Sequence, residues 1–269
     1  MGEKLVFNMS ASAINTYNES QLVFYYQQIE KADSDTQVPT CYGEAGNVVH
    51  ETIEEHQKSD PTQLFMTKWD ERNLDQKLGL NGRPLSKEQY YYCMLRGIEL
   101  LQTQYPGEIE TEELIQFRLV NTDQAQVNIK GFIDCKVTVS KDEVLLVDWK
   151  TNSSVKSGSA FELQGKMYAL LIYLKYGFVP KKVVFEYLKL KQNQEFIFTK
   201  EEVLDHYKYI CSLAREIIAK GRDIEQYELG NIDSPFNDHK KKCLIEIDRR
   251  FSDPQLRRNP SEAVKSYSS

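Results

Sequence analysis

The order of strand-like and helical segments between residues 108 and 220 is the feature that most restricts the fold. From Leu114 onward, apolar and β-branched residues occur in short runs bounded by turn residues. The predicted elements are strands at 113–120, 126–139 and 143–148, a helix from Ser159 to Tyr176, strands at 183–190 and 195–198, and a helix from Thr199 to Lys220. This order predicts an α/β fold with a central mixed sheet flanked by helices.

The residues ahead of this region are predicted to be mainly helical. Ser10 can cap a first helix, residues 46–57 favour a second, and Ser86-Lys-Glu-Gln89 is a capping box that begins a third. Residues 59–86 are polar and contain Gly and Pro, which indicates loops with one short helix. We therefore expect one domain, with a helical N-terminal lobe (1–107), an α/β core (108–220) and a basic C-terminal tail (221–269).

Composition excludes several classes of protein. Hydrophobic residues make up 41% of the 269 residues, and 13 Gly and 8 Pro are too few for a collagenous or low-complexity chain. The longest stretch without a charged residue, 5–18, contains Asn, Ser and Thr and is shorter than the roughly 20 apolar residues that a membrane span needs. The N-terminus resembles neither a secretion signal nor a transit peptide, so we expect a cytoplasmic protein, in the host cytoplasm if it is viral.

Charge and cysteine content restrict partners and cofactors further. The net charge of −6 argues against a protein whose whole surface coats nucleic acid, although Lys240 to Arg258 is locally basic and forms either a solvated tail or a phosphate-binding arm. The five cysteines are far apart in sequence and form no Cys-x-x-Cys pair. A structural zinc site and a disulfide framework are therefore not expected.

Charged residues inside apolar strands are the strongest indication of a functional site. Side chains alternate along a strand, so Asp148 and Lys150 share one face while Trp149 lies on the other. The preceding strand contains Asp134 between Ile133 and Cys135. Burying such charges is costly unless they pair with each other or with a cation. Two carboxylates on neighbouring strands are suitable ligands for Mg²⁺ or Mn²⁺.

The hairpin between these strands decides whether the two carboxylates meet. A two-residue Lys141-Asp142 loop alone would place Asp134 opposite Trp149, with the carboxylates on different faces. A three-residue loop or one β-bulge would place Asp134 opposite Asp148. We predict one of these two arrangements.

Five sequence elements occur in the order typical of one enzyme superfamily. They are Ser10-Ala-Ser12-Ala-Ile14-Asn-Thr-Tyr17, Gly46-Asn-Val-Val-His50, Gly131-Phe-Ile-Asp134, Asp148-Trp-Lys150-Thr151 and Gln164-Gly-Lys-Met-Tyr168. Together they resemble the motifs of the PD-(D/E)XK nuclease superfamily, and in particular its RecB-like branch of CRISPR-associated and phage exonucleases. The resemblance extends from residue 10 to about residue 190. It implies a restriction-endonuclease-like sheet.

The resemblance also implies roles for individual residues. His50, Asp134, Asp148 and the backbone carbonyl of Trp149 would hold Mg²⁺ or Mn²⁺, and the imidazole moves the preference somewhat toward Mn²⁺. Lys150 would position or activate the attacking water. The family uses the residues that correspond to Gln164 and Tyr168 to orient the lysine and to contact the DNA backbone. Each residue also has a purely structural interpretation. Asp148 and Lys150 could form a surface ion pair, His50 could be an ordinary helix histidine, and Gln164 and Tyr168 could be a pair on an amphipathic helix.

One departure from the branch concerns an iron–sulfur cluster that some of its members bind through four cysteines. Glu19-Ser20-Gln21 stands where the first cysteine is expected, and Cys243 is the one cysteine of the tail. We therefore predict no iron–sulfur cluster. Packing or substrate would hold the tail instead.

These observations predict a metal-dependent deoxyribonuclease, most readily an exonuclease that acts on DNA ends in recombination, repair or phage replication. A structure-specific or single-strand endonuclease, a nuclease acting on RNA, and a non-catalytic DNA-binding subunit of a recombination complex remain alternatives. We expect DNA with a free end or single-stranded DNA as the partner, together with a protein partner in a repair complex. Cations and aromatic residues between 66 and 96 either steer a single strand or form a solvated loop and a helix core; they are Lys68, Trp69, Arg72, Lys77, Arg83, Tyr90, Tyr91 and Arg96.

Overall fold

A computed structural model describes residues 3–35, 40–141, 143–155 and 159–252. The strands are β1 (Leu5–Met9), β2 (Glu108–Asn121), β3 (Ala125–Ser140), β4 (Glu143–Lys150), β5 (Lys182–Tyr187) and β6 (Gln192–Phe196). The α-helices are α1 (Ala11–Glu19), α2 (Gln21–Phe24), α3 (Cys41–Glu55), α4 (Pro61–Glu71), α5 (Lys87–Thr103), α6 (Ser159–Tyr176), α7 (Lys200–Lys220) and α8 (Lys240–Ser252), and a π-helical turn spans Tyr25–Glu30. The predicted α/β class is confirmed.

The strands pair in both directions, so the sheet is mixed. β3 pairs with β1 in parallel and with β4 in antiparallel orientation, β4 pairs with β5 in parallel, and β5 pairs with β6 in antiparallel orientation. β2 also pairs with β3. The predicted central mixed sheet is therefore present.

The chain divides into two compact units. The first contains residues 1–38, 117–129 and 209–269, and the second contains 39–116 and 130–208. The second unit holds most of the sheet and every residue singled out above for metal binding or catalysis. The prediction that the chain is one nuclease domain with an N-terminal lobe and a tail stays a prediction.

The β3–β4 hairpin contains the β-bulge that the sequence argument required. Thr138 pairs with Val144 but Ser140 pairs with Glu143, so Val139 is the extra residue. Beyond the bulge the register continues to the pair Cys135 and Val147. The next position in this register places Asp134 beside Asp148, as predicted.

In the second unit, helices cover both faces of the sheet. One face carries Trp149 and a set of apolar side chains that pack with α3, α4 and α5 in a core cluster; they include Val49, Ile53, Phe65, Trp69, Met94, Cys135, Val137, Leu145 and Val147. On the other face, Phe161 of α6 contacts the rings of Phe185 and Tyr187. Because both faces are covered, charges inside these strands are screened from bulk water.

The first unit is held together by contacts between its N-terminal helices and the segment after α7. The Ser20 hydroxyl donates to the Leu229 carbonyl oxygen, and the backbone N–H of Asn231 donates to the Glu19 carbonyl oxygen. Asp35 accepts hydrogen bonds from the backbone N–H groups of Lys241 and Lys242 at the start of α8. These contacts pack the segment up to residue 252 against the N-terminal helices, and the rest of the basic tail lies outside the described residues. The absence of an iron–sulfur cluster stays a prediction.

One local expectation was wrong, because the first element is the strand β1 rather than a helix. The helix expected in the region 59–86 is α4, which starts at Pro61 with Asp60 as its N-cap and has 11 residues. The predicted tail contains α8. No helix in the described ranges combines the length and apolar character that a bilayer span requires.

Candidate active site

The end of β4 holds a buried carboxylate beside an ammonium group. Val144 to Trp149 form the buried part of the strand, and Asp148 and Lys150 lie on the face that α6 covers. The Asp148 side chain is 3% exposed, and its Oδ2 lies 2.6 Å from Lys150 Nζ. A buried carboxylate is tolerated here because it is paired at close range.

Two side chains of α6 complete the hydrogen bonds of this pair. Gln164 and Tyr168 are four residues apart and therefore share one face of the helix. Asp148 Oδ1 accepts from the Tyr168 hydroxyl at 2.8 Å and from Gln164 Nε2 at 3.2 Å, while Gln164 Oε1 accepts from Lys150 Nζ at 3.2 Å. Gln164 Nε2 also donates to the Tyr168 hydroxyl oxygen. Burial, followed by the charge of Asp148, holds the pKa of Tyr168 well above its usual range, so this hydroxyl stays a donor.

Two aromatic rings lie near the Lys150 ammonium group. Nζ lies 5.1 Å from the ring centroid of Phe161 and 5.3 Å from that of Phe185. The negative faces of aromatic rings attract a cation. The lysine head group is thus positioned by one carboxylate, one amide and two rings.

Asp134 lies in a second group of residues, next to the first. Its Oδ2 accepts a hydrogen bond of 3.0 Å from the backbone N–H of Trp149 and lies 3.3 Å from His50 Nδ1 of α3. Burial, and then the charge of Asp148, raise the pKa of Asp134 well above its usual range. Burial lowers the pKa of His50, which keeps the imidazole neutral and able to bind a cation.

Glu112 of β2 belongs to this group, and the sequence argument missed it. One ligand atom from each of His50, Glu112 and Asp134 lies within 4.8 Å of the others. Glu112 has φ = 52°, in the left-handed region that residues other than glycine rarely adopt. Nothing in the acidic run Glu108-Ile-Glu-Thr-Glu-Glu113 distinguishes this glutamate from its neighbours, so sequence offered no signal for it.

The chemistry of these donors fits a divalent cation. Carboxylate oxygens and a neutral imidazole nitrogen are ligands for Mg²⁺ and Mn²⁺, with nitrogen more readily accepted by Mn²⁺. Glu112 is the exposed member of the group. Partial desolvation raises its pKa, His50 opposes this rise, and the neighbouring carboxylates Glu54, Glu51 and Asp148 add to it by repulsion. A bound cation would offset that repulsion.

A sequence model of one enzyme superfamily matches residues 8–243, which include all the site residues described above. The chain belongs to the PD-(D/E)XK nuclease superfamily. Nucleic acid is the substrate class of PD-(D/E)XK nucleases, phosphodiester hydrolysis is their reaction, and they use divalent metals. The predicted membership is therefore confirmed at the level of the superfamily.

Two solved structures resemble the chain at low sequence identity. One, a "putative exonuclease" from Eubacterium rectale, is 10% identical with a TM-score of 0.48, over 80% of this chain and 81% of that chain. The other, SSO0001, is 17% identical with a TM-score of 0.35, over 75% of this chain and 93% of that chain. No curated protein matches the chain.

The predicted site residues thus fall into two adjacent groups rather than one ring of ligands. Asp148, Lys150, Gln164 and Tyr168 form one hydrogen-bonded network, and His50, Asp134 and the backbone of Trp149 form the other. Their roles in metal binding and catalysis remain predictions. Glu112 joins the second group.

Four of the cations and aromatic residues between 66 and 96 have structural contacts and do not form a surface that could steer a DNA strand. The rings of Trp69 and Tyr90 are buried in the core. Lys68 pairs with Glu51 and Glu55, and Arg72 pairs with Glu51. These cations are neutralised locally and these rings cannot stack on a base without leaving the core. These four residues therefore belong to the core and to local ion pairs and not to a stacking surface.

Proposed function

We propose that this protein is a metal-dependent deoxyribonuclease of the RecB-like type that degrades DNA from its ends. The observation that carries the proposal is the network of Asp148, Lys150 and Gln164 directly beside His50 and Asp134 in a member of a nuclease superfamily. The intact charged set disfavours a non-catalytic DNA-binding subunit. Recombination, repair and phage replication are the processes that require this activity.

In the proposed mechanism, each side chain has a task set by its contacts. Lys150, oriented by Asp148 and Gln164, holds the attacking water and offsets negative charge that develops on the phosphate. The Trp149 N–H fixes the orientation of the Asp134 carboxylate toward His50. His50, Asp134, Asp148 and the Trp149 carbonyl oxygen would hold Mg²⁺ or Mn²⁺, which would polarise a phosphoryl oxygen and lower the pKa of water.

The proposal is tested by incubating end-labelled single- and double-stranded DNA with the full chain and either Mg²⁺ or Mn²⁺. We expect metal-dependent loss of the label, and circular single-stranded DNA should survive because it has no end. Asp148→Asn removes a charged metal ligand and the partner of Lys150, and Lys150→Ala removes the ammonium group that offsets developing charge, so each should slow cleavage by at least about 100-fold. The strand packs through its apolar residues, so both variants should keep the wild-type circular dichroism spectrum.

Lys175→Ala is the matched control, since Lys175 lies on the same helix as Gln164 but pairs with Glu113 instead. It should cleave like the wild type. Cleavage by Asp148→Asn at the wild-type rate, or wild-type cleavage that persists in excess EDTA, would contradict the proposal. Rapid cutting of the circle would assign an endonuclease, and preference for a labelled RNA strand would assign a ribonuclease.

A further inference from the structure

Glu112 differs from the other acidic residues of β2 in its surroundings. Glu110 pairs with Lys136, and Glu113 pairs with Lys175 and accepts a hydrogen bond from the Tyr176 hydroxyl. Glu112 instead directs its carboxylate toward a histidine and an aspartate, to within 4.8 Å. Glu110 and Glu113 are thus each paired with a lysine of the protein. Glu112, in contrast, lies beside two further side chains that can bind a metal cation.

The backbone at Glu112 is strained in a way that a simple strand residue would not require. A residue with φ = 52° inside a strand changes the direction of its side chain relative to the regular alternation. Glycine or asparagine would adopt this conformation at lower cost than glutamate. Lys31, Asn73 and Lys191 also have left-handed backbones, so the feature that sets Glu112 apart is the position of its carboxylate beside His50 and Asp134.

We propose that Glu112 is an additional side-chain ligand of the catalytic divalent cation, acting with His50 and Asp134. This inference rests on the proposed function and extends the ligand set that the family resemblance implies. The third carboxylate makes the site richer in oxygen and more negative, which favours a hard divalent cation over a softer one. It also gives β2 a direct part in the active site, alongside α3, β3 and β4.

Mn²⁺ binding measured without any nucleic acid tests the inference. The full chain is treated with EDTA, exchanged into metal-free buffer and titrated with Mn²⁺, and the free ion is counted by its electron paramagnetic resonance signal. We expect Glu112→Gln to weaken Mn²⁺ binding by at least about tenfold, since even residues behind the ligands change metal affinity by that factor. Glu108→Gln, which removes another carboxylate of the same strand, should bind like the wild type.

Two further variants separate a ligand role from a structural role. Glu112→Gly and Glu112→Asn both suit the left-handed backbone, so the metal-free variants should melt at or above the wild-type temperature. Both should nevertheless lose Mn²⁺ affinity, because neither places a carboxylate at the cluster. A merely structural Glu112 would give the opposite pattern, with reduced melting temperature and unchanged affinity.

The outcomes distinguish this inference from the function on which it rests. Wild-type Mn²⁺ affinity in Glu112→Gln and Glu112→Asn would overturn the ligand role while leaving a metal-dependent nuclease intact. If Asp134→Asn and the wild type both fail to bind Mn²⁺, the metal site itself is refuted. Loss of binding in Glu112→Gln but not in Glu108→Gln supports both.

Discussion

Gln164 shows how one uncharged side chain can organise a charged site. An amide has a carbonyl oxygen that accepts and an NH₂ group that donates. Gln164 uses the oxygen for the Lys150 ammonium and the nitrogen for Asp148 and Tyr168. Glutamate would accept from the lysine but repel Asp148, and lysine would do the reverse. The choice of an amide therefore follows from the opposite charges of its two neighbours.

His206 provides a pH-dependent prediction that is independent of metal binding. Burial, with a smaller effect from Lys166, lowers the pKa of His206 to about 4. In the unfolded chain a histidine titrates near pH 6.5. Between these two values the unfolded state binds more protons than the folded state, so the folded state loses stability as the pH falls from 6.5 toward 4.

We expect the wild type to lose about 2 kcal/mol more free energy of unfolding between roughly pH 7 and pH 5 than His206→Gln does. Urea denaturation of both proteins at the two pH values measures this difference. Contributions from carboxylates are common to both proteins and cancel. Parallel losses in the two proteins would show that His206 titrates normally in the folded state.

The site residues that could be identified from the sequence are charged residues whose immediate neighbours are apolar. Asp134 and Asp148 stand out because carboxylates are costly inside apolar runs, and Lys150 stands out with them. Glu112 lies among other glutamates, and its role depends on a left-handed backbone and on two residues distant in sequence. No local pattern encodes either condition, so only the folded chain brings Glu112 to notice.

At the scale of elements, the boundaries that could be predicted are those with capping chemistry. Thr199 and Glu202 cap each other's backbone N–H groups at the start of α7, and Ser86 accepts from the Gln89 N–H at α5, as their spacing predicts. β1 was missed because its five residues directly precede the helix capped by Ser10 and were included in the helical N-terminal lobe. β1 is stabilised as a strand by parallel pairing with β3, in which Leu5 to Met9 align with Ala125 to Ile129. These two segments are far apart in sequence.

Helix α3 carries His50, and a glycine on α5 sets how closely the two helices pack. A Cβ atom added to Gly97 would clash with the Cδ1 methyl group of Ile53 and lie 3.0 Å from its Cγ1, and Ile53 is buried. Alanine there would gain about 1 kcal/mol of helix propensity but cost about 1–3 kcal/mol through overpacking. We expect Gly97→Ala to lower the free energy of unfolding by about 1 kcal/mol overall.

Two variants control this prediction by denaturant unfolding. Ile53→Val removes the obstructing methyl group, so Gly97→Ala added to Ile53→Val should be neutral or stabilising. Gly43→Ala lies on α3 with no atom within 4 Å of the new Cβ and should stabilise by about 0.5–1 kcal/mol. A Gly97→Ala effect that is the same with and without Ile53→Val would contradict the packing argument.

For the whole molecule, charge must be reconciled with a polyanionic substrate. The chain carries 34 basic and 40 acidic residues, and Lys68 and Arg72 are neutralised by glutamates. Long-range attraction to DNA is therefore weak, and local groups have to hold the phosphate at the site. A divalent cation at Asp134 and Glu112 would neutralise the negative charge of the site where the phosphate must approach.

If the site needs a cation, Mn²⁺ should stabilise the folded protein, and Asp134 should lower the stability of the metal-free protein while contributing to metal binding. At a free Mn²⁺ concentration about 100 times the dissociation constant, binding adds about 2.7 kcal/mol to the free energy of unfolding. Because the pKa of Asp134 is raised in the fold, its ionised form is unfavourable at neutral pH without a cation. Asp134→Asn should therefore melt above the metal-free wild type in EDTA, and its melting temperature should not rise with Mn²⁺.

Thermal unfolding of both proteins in EDTA and in Mn²⁺ checks the prediction, with Glu108→Gln as the control that should respond like the wild type. The asparagine oxygen can still accept from the Trp149 N–H, so the variant keeps the hydrogen bond that orients this position. An equal Mn²⁺ response in wild type and Asp134→Asn would place the cation elsewhere. A carboxylate that is kept for metal binding destabilises the metal-free fold, because its charge is buried near another carboxylate. Lower stability of the variant in EDTA would therefore show that the carboxylate supports the fold and not metal binding.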